Sequence, residues 1–167
     1  MKTNLLRTSY FVPLYIFLFL CTFFGCKKGN TPETLQGSSE KPAWTAPANY
    51  DLASSMTAVI KVDLSSCYTA EQLSTVNYQL STDDMLAAFS GDELVGVAEP
   101  LPLQGDGGQE EGLLFFLYIC APTKGEDITL KYYSSVLKNI FIAEPFAFAN
   151  DTQLGSIANP YMPQFTI

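Results

Sequence analysis

Residues 82–100 leave this chain fewer choices of fold than any other stretch. Met85, Leu86, Ala87, Ala88 and Phe89 make one apolar run and Leu94, Val95, Val97 and Ala98 a second, with Ser90-Gly91-Asp92-Glu93 between them. Such a break between β-compatible runs is what a tight hairpin needs, because Gly91 can take the positive φ that side chains resist. The pattern predicts a central β-hairpin. Its arms are apolar at nearly every position, which predicts strands covered on both faces. Ala87, Ala88 and Gly96 mark close approach of neighbouring backbone or aromatic rings.

The other signals are those of short strands. Met56, Ala58, Ile60 and Val62 alternate with Thr57, Val59 and Lys61, a period of two. A loop follows over residues 67–80, with Thr69-Ala70-Glu71-Gln72-Leu73 its most helical part. Pro100, Pro102 and the polar run 104–112 read as an exposed loop. Residues 113–120 read as a buried strand from their continuous apolar character, and residues 128–133 as its partner, with Thr129, Lys131 and Tyr133 on one side and Ile128, Leu130 and Tyr132 on the other. Residues 139–143 and 146–149 read as one long strand bent or bulged at Pro145, and residues 162–167 as a final edge strand. Trp44, the only indole, is expected to open the domain as a core plug. The class is all-β: an antiparallel β-sandwich, jelly-roll or immunoglobulin-like in arrangement.

The pattern Asp84-x-Leu86-x-Ala88-Phe89-x-x-Asp92-Glu93-x-x-Gly96-x-Ala98 resembles a recurrent β-sandwich module of Bacteroidota cell-envelope proteins. Upstream the resemblance includes Trp44-x-x-Pro47-x-x-Tyr50 and Ser55-Met56-Thr57. Downstream it includes residues 114–119, Glu126-Asp127-Ile128-Thr129-Leu130-Lys131-Tyr132-Tyr133, and Asp151-x-x-Leu154-Gly155-Ser156-x-x-x-Pro160-Tyr161. It implies fold and location more than activity. Val95 stands where that module often carries a basic residue, so no function resting on that charge is carried over.

The chain begins with a leader, residues 1–25. Lys2 and Arg7 give it a positive start, and the apolar run 10–24 ends at Gly25-Cys26. A small residue before a cysteine at the end of such a run has the form of a bacterial lipoprotein signal, with Cys26 becoming the lipidated first residue. The alternative is an uncleaved single-span anchor. Residues 26–42 are then the lipidated cysteine and a flexible spacer of Gly, Thr, Pro, Ser, Gln and Glu, and residues 43–167 the β-sandwich domain. The expected address is the cell envelope, anchored by lipid to the outer membrane. Export signals for the outer surface are usually acidic after the cysteine, whereas Lys27 and Lys28 follow it here. The periplasmic or surface face therefore stays open. Without the leader, seven Lys and no Arg face seventeen acidic residues, a balance of 7 − 17 = −10. Nucleic acid is excluded as a partner class, since phosphate neutralisation requires clustered Lys or Arg.

Chemistry is constrained mainly by what is missing. There is no His, which removes Ser-His-Asp and Cys-His catalysis and the commonest neutral metal ligand. Neighbouring acids such as Asp92-Glu93 or Glu110-Glu111 make a poor start for glycosidase work, which needs two carboxyls facing each other across a cleft. No catalytic residue is assigned and the chain is read as a non-enzyme. Once Cys21 leaves with the leader and Cys26 takes lipid, Cys67 and Cys120 remain, either as a disulfide or as two buried thiols acting as small apolar residues. Calcium is the one cofactor the acids suit. Asp83, Asp84, Asp92 and Glu93, together with the loop Asp106-Gly107-Gly108-Gln109-Glu110-Glu111, offer oxygen ligands beside glycines, without a calcium-loop consensus. For Asp84 the preferred role is in the fold, accepting backbone N–H groups of the adjoining turn. Among the aromatics, Tyr133 and Tyr161 are the expected ligand contacts. Two functions remain: a non-catalytic binding module for a glycan or an envelope protein, and a structural subunit of a surface assembly whose terminal strand, residues 165–167, pairs with another chain.

Overall fold

A computed structural model describes residues 35–48, 54–104, 110–120, 122 and 127–167; the leader, Cys26 and the first part of the expected spacer lie outside them. In chain order the described elements are β1 (Ser55–Ile60), α1 (Ala70–Thr75), β2 (Met85–Ser90), β3 (Glu93–Ala98), β4 (Pro100–Gln104), β5 (Glu110–Cys120), β6 (Asp127–Ser134), β7 (Asn139–Ala143), β8 (Phe146–Ala147), β9 (Gln153–Leu154) and β10 (Phe165–Thr166). They form two sheets, β4-β5-β1-β9 and β10-β7-β6-β2-β3, with β8 also pairing β6. Nearly all pairings are antiparallel, so the all-β sandwich-like class is as expected. The exceptions are β9 alongside β1 and the single bridge from Ile60 to Tyr161, both parallel.

The hairpin of β2 and β3 turns through Gly91 at φ 58°, and every residue of β2 is buried. Its inward residues Leu86 and Ala88 join Leu130, Tyr132, Phe141 and Phe165 against Met56, Ala58, Ile60, Phe115, Leu117 and Ile119 of the first sheet. Gly96 is required by packing. A Cβ there would lie 2.4 Å from the Tyr118 carbonyl oxygen, because β3 runs directly over the β5 backbone. Residues 139–147 behave as one strand with a bulge: Lys131 pairs with Ile142 but Ile128 with Phe146, one residue out of step, and the extra residue falls at Glu144-Pro145. The short helix α1 starts at Thr69, whose hydroxyl accepts from Gln72 N–H while the Gln72 side chain accepts from Thr69 N–H, a capping box.

Several expectations are corrected. Residues 113–120 and 128–133 are not partners: β5 pairs with β1 and β4 in the first sheet, whereas β6 pairs with β2, β7 and β8. Pro100 and Pro102 sit in β4, an edge strand, where a missing N–H can face solvent, and β5 already begins at Glu110. Trp44 is only half-buried and does not plug the core. It stands edge-on to Phe89 on the outer side of the second sheet, with ring centroids 5.9 Å apart, while Lys131 Nζ lies 4.2 Å from the centre of the Phe89 ring. The segment carrying Trp44 is held at its start as well. Gly37 N–H donates to Leu137 O (2.7 Å) and Ser39 N–H to Lys138 O (2.9 Å), so contact with the sheets begins inside the stretch read as spacer. A Cβ at Gly37 would come within 2.6 Å of Lys138 O.

Through Trp44 this strap covers the outer face of the second sheet at Phe89. Replacing Trp44 with Ala should lower stability by about 2 kcal/mol, roughly half the cost of emptying a fully buried Trp site, read from the urea midpoint. Because Trp44 is the only indole, release of the strap should also redshift the native emission before global unfolding. An unchanged midpoint would show that the strap contributes nothing.

Candidate functional site

Asp84 is completely buried at the entrance to β2, and its carboxylate is fully engaged. Oδ1 accepts from Ser135 N–H (2.8 Å) and Ser135 O–H (2.7 Å); Oδ2 accepts from Ser81 N–H (2.9 Å) and Tyr132 O–H (2.6 Å). Tyr132 gives its one proton to Asp84, so at the 3.1 Å contact with Tyr78 the Tyr78 hydroxyl is the donor. Burial first, then the neighbouring Tyr78 hydroxyl and the Asp84 carboxylate, pushes the phenol of Tyr132 well above its ordinary range, and burial does the same to Tyr78. The preferred reading of Asp84 holds: it accepts turn N–H groups from two loops. Each of its two oxygens already accepts two hydrogen bonds.

The other proposed calcium ligands are not gathered around it. Asp83 is exposed beside Asp84, whereas Asp92 and Glu93 lie past the opposite end of β2, about 17 Å of strand away. No cluster of three or more acidic or thiol ligands occurs among the described residues. Nor does a disulfide join Cys67 to Cys120. Cys120 ends β5 opposite Ser55, the first residue of β1, while Cys67 lies beyond the far end of that strand and donates through Sγ to Phe165 O (3.1 Å). Partial burial pushes the Cys67 thiol up.

Tyr133, expected at the surface, is 1% exposed. Its side of β6 does point away from the core, but that side of the second sheet, with Met85, Ala87 and Phe89, is itself buried. Tyr161 is half-buried, edge-on to Phe146, and its backbone bonds to Val59 O and Lys61 N–H. The terminal strand β10 pairs with Ala143 and Ile142 of its own chain.

The accessible aromatic surface lies on the first sheet, at residues read from sequence as buried. Along β5 the accessible side chains of the outward phase are Phe116, 42% exposed, and Tyr118, half-buried. Register extends this face across three strands: Phe116 lies opposite Val59, Tyr118 opposite Thr57, and Thr57 opposite Gln153. Ile157, 56% exposed, closes the far side from a turn in which Ser156 N–H bonds Asn159 O and Asn159 N–H bonds the Ser156 hydroxyl. These residues line a groove of about 310 Å³ together with Ala58 and Leu117, and none is charged. The returning segment can lie this close to β1 because of Gly155, at φ 73°, where a Cβ would approach Val59 O to 2.6 Å. Gln153 Nε2 donates to Gly155 O (2.9 Å), fixing the amide at the groove's edge. A larger depression of about 440 Å³, bounded by Gln79, Leu80, Thr82, Pro102, Gly112 and Leu113, has no aromatic or titratable side chain. The clue to the groove was in β1: its polar phase at Thr57 and Lys61 marks the outward side, and pairing puts Tyr118 and Phe116 on that side.

In comparisons with known proteins, no family model, curated protein or solved structure matches the chain.

Two outcomes follow from the Asp84 network. Asp84→Asn places amide hydrogens against groups that are themselves donors and should cost about 3 kcal/mol, whereas exposed Asp83→Asn should stay within about 0.5 kcal/mol, both by urea denaturation. Folded Tyr78 and Tyr132 hold their protons above the ordinary value of 10.0, so the unfolded chain loses protons first. Stability is therefore fully present below pH 10 and declines as the pH rises above it, and Tyr132→Phe should flatten that alkaline limb of the stability profile.

Proposed function

We propose that this chain is a non-catalytic, lipid-anchored protein of the bacterial cell envelope that binds a glycan or an envelope protein through the groove on its first sheet. The observation carrying this reading is that groove. Phe116 and Tyr118 of β5, Thr57 of β1 and Gln153 of β9 stand on three paired strands, and exposed Ile157 flanks them from the turn after β9. Sites of this kind combine an apolar floor with a few placed polar groups.

The chemistry around it argues for contact rather than catalysis. Among the described residues lining the groove there is no carboxylate, and the fully buried carboxylate of Asp84 belongs to the second sheet with four donors already on it. An assembly subunit that donates its last strand has less support, since Phe165 and Thr166 are engaged at home. The envelope address rests on the leader and Cys26.

The test is retention of solubilised envelope glycan and protein fractions on immobilised full-length chain. Phe116→Ala and Ile157→Ser should each weaken retention of the captured component about tenfold, equivalent to roughly 1.4 kcal/mol. Equal retention by wild type and both variants would remove the groove from consideration as the contact face.

A further inference from the structure

The groove's chemistry selects one occupant from the two allowed by the reading above, on which this inference rests. We infer that it holds a short segment of a neutral oligosaccharide.

Charge gives the first reason. The chain without its leader carries seven Lys against seventeen acids, a field that repels anions, yet the described residues lining the groove include no carboxylate with which to hold a cation. An uncharged ligand meets neither penalty. Size gives the second. At about 310 Å³ the groove is at the lower end of small-ligand sites, which run from roughly 300 to 1,000 Å³. A stable protein partner would need roughly 800 Å² on this side, but among the described residues the large exposed apolar side chains lining the groove are Phe116 and Ile157 alone.

Arrangement gives the third. Phe116 and Tyr118 are two residues apart on one strand, so their side chains rise from the same face about 7 Å apart. Sugar rings have an apolar face of C–H groups that rests on an aromatic ring, and two rings in line accept consecutive units of one chain. Beside them, across strands spaced about 4.8 Å apart, Thr57 supplies a hydroxyl and Gln153 an amide already steadied by Gly155 O. Hydroxyl and amide groups can each donate and accept, which suits sugar hydroxyls around the rim of a stacked ring.

The experiment titrates full-length chain, kept in a polyoxyethylene detergent that carries no sugar, with cellohexaose, laminarihexaose and mannohexaose, and with a hexasaccharide of alternating uronic acid units as the charged comparison. Calorimetry gives affinity and amide chemical shifts give location. The expected result is saturable binding of at least one neutral hexasaccharide with shifts at Thr57, Phe116, Tyr118 and Gln153, at least tenfold weaker in Phe116→Ala and also weakened in Ile157→Ser. Leu101→Ala, altering an exposed residue of edge strand β4, should bind like wild type. Binding of the uronic acid hexasaccharide as tight as the neutral ones, or neutral binding unaffected by Phe116→Ala, would overturn the inference. If no neutral hexasaccharide binds while Phe116-dependent retention of an envelope protein persists, the sugar is wrong and the contact face stands. If both vanish, both readings fall.

Discussion

A single buried carboxylate ties this sandwich together. Four donors converge on Asp84, which is what lets its carboxylate be buried, and those donors come from separate parts of the chain. Ser81 belongs to the turn before β2, Ser135 to the turn after β6, and Tyr132 to the middle of the core. Through the Tyr132 ring the constraint reaches both sheets: its centroid lies 6.0 Å from Phe115 in the first and 6.0 and 5.9 Å from Phe141 and Phe165 in the second. Tyr78 extends it to the loop after α1. Moving any of these elements away from the others would leave a charged oxygen short of donors in a low-dielectric interior, which is more costly than losing a contact between two apolar groups.

The same turn after β6 is held from its other side by the leading strap, where Leu137 and Lys138 accept from Gly37 and Ser39. This double grip makes the two faces of the sandwich unlike. On the second sheet Met85, Ala87, Phe89 and Tyr133 face outward and are nonetheless buried, with Trp44 laid over Phe89. On the first sheet Thr57 and Phe116 face outward and remain in solvent. One face has become a second packed layer, and the other carries the groove. Gly155 and the turn that follows it give that open face its wall.

Much of the fold was legible because local chemistry and tertiary packing agree. The hairpin through Gly91, the helical turn after Thr69, the bulge at Pro145 and the two sides of β6 each follow from a backbone requirement met by neighbouring residues. The site was less so. Tyr133 has the polar phase of Thr129 and Lys131 and was expected outside; Phe116 lies in an unbroken apolar run and was expected inside. Both assignments reversed for one reason: alternation along a strand distinguishes the two sides of a sheet but says nothing of what, if anything, lies against each. Likewise Asp83, Asp84, Asp92 and Glu93 are neighbours in sequence, but the length of β2 separates them, and the length of β1 separates Cys67 from Cys120.

What the chain determined by itself is therefore its class, its hairpin and the place of Asp84 at a strand entrance, since each is set by φ restrictions, period-two patterning or the short reach of a carboxylate to its own turn. Only the tertiary structure decided that Trp44 leaves the core to cover Phe89, that Tyr133 is sealed, and that Phe116, Tyr118, Thr57 and Gln153 share one open face. Those outcomes depend on strand register and on which segments return over which sheet, and contacts between residues so distant in sequence are fixed by the packing of the whole domain.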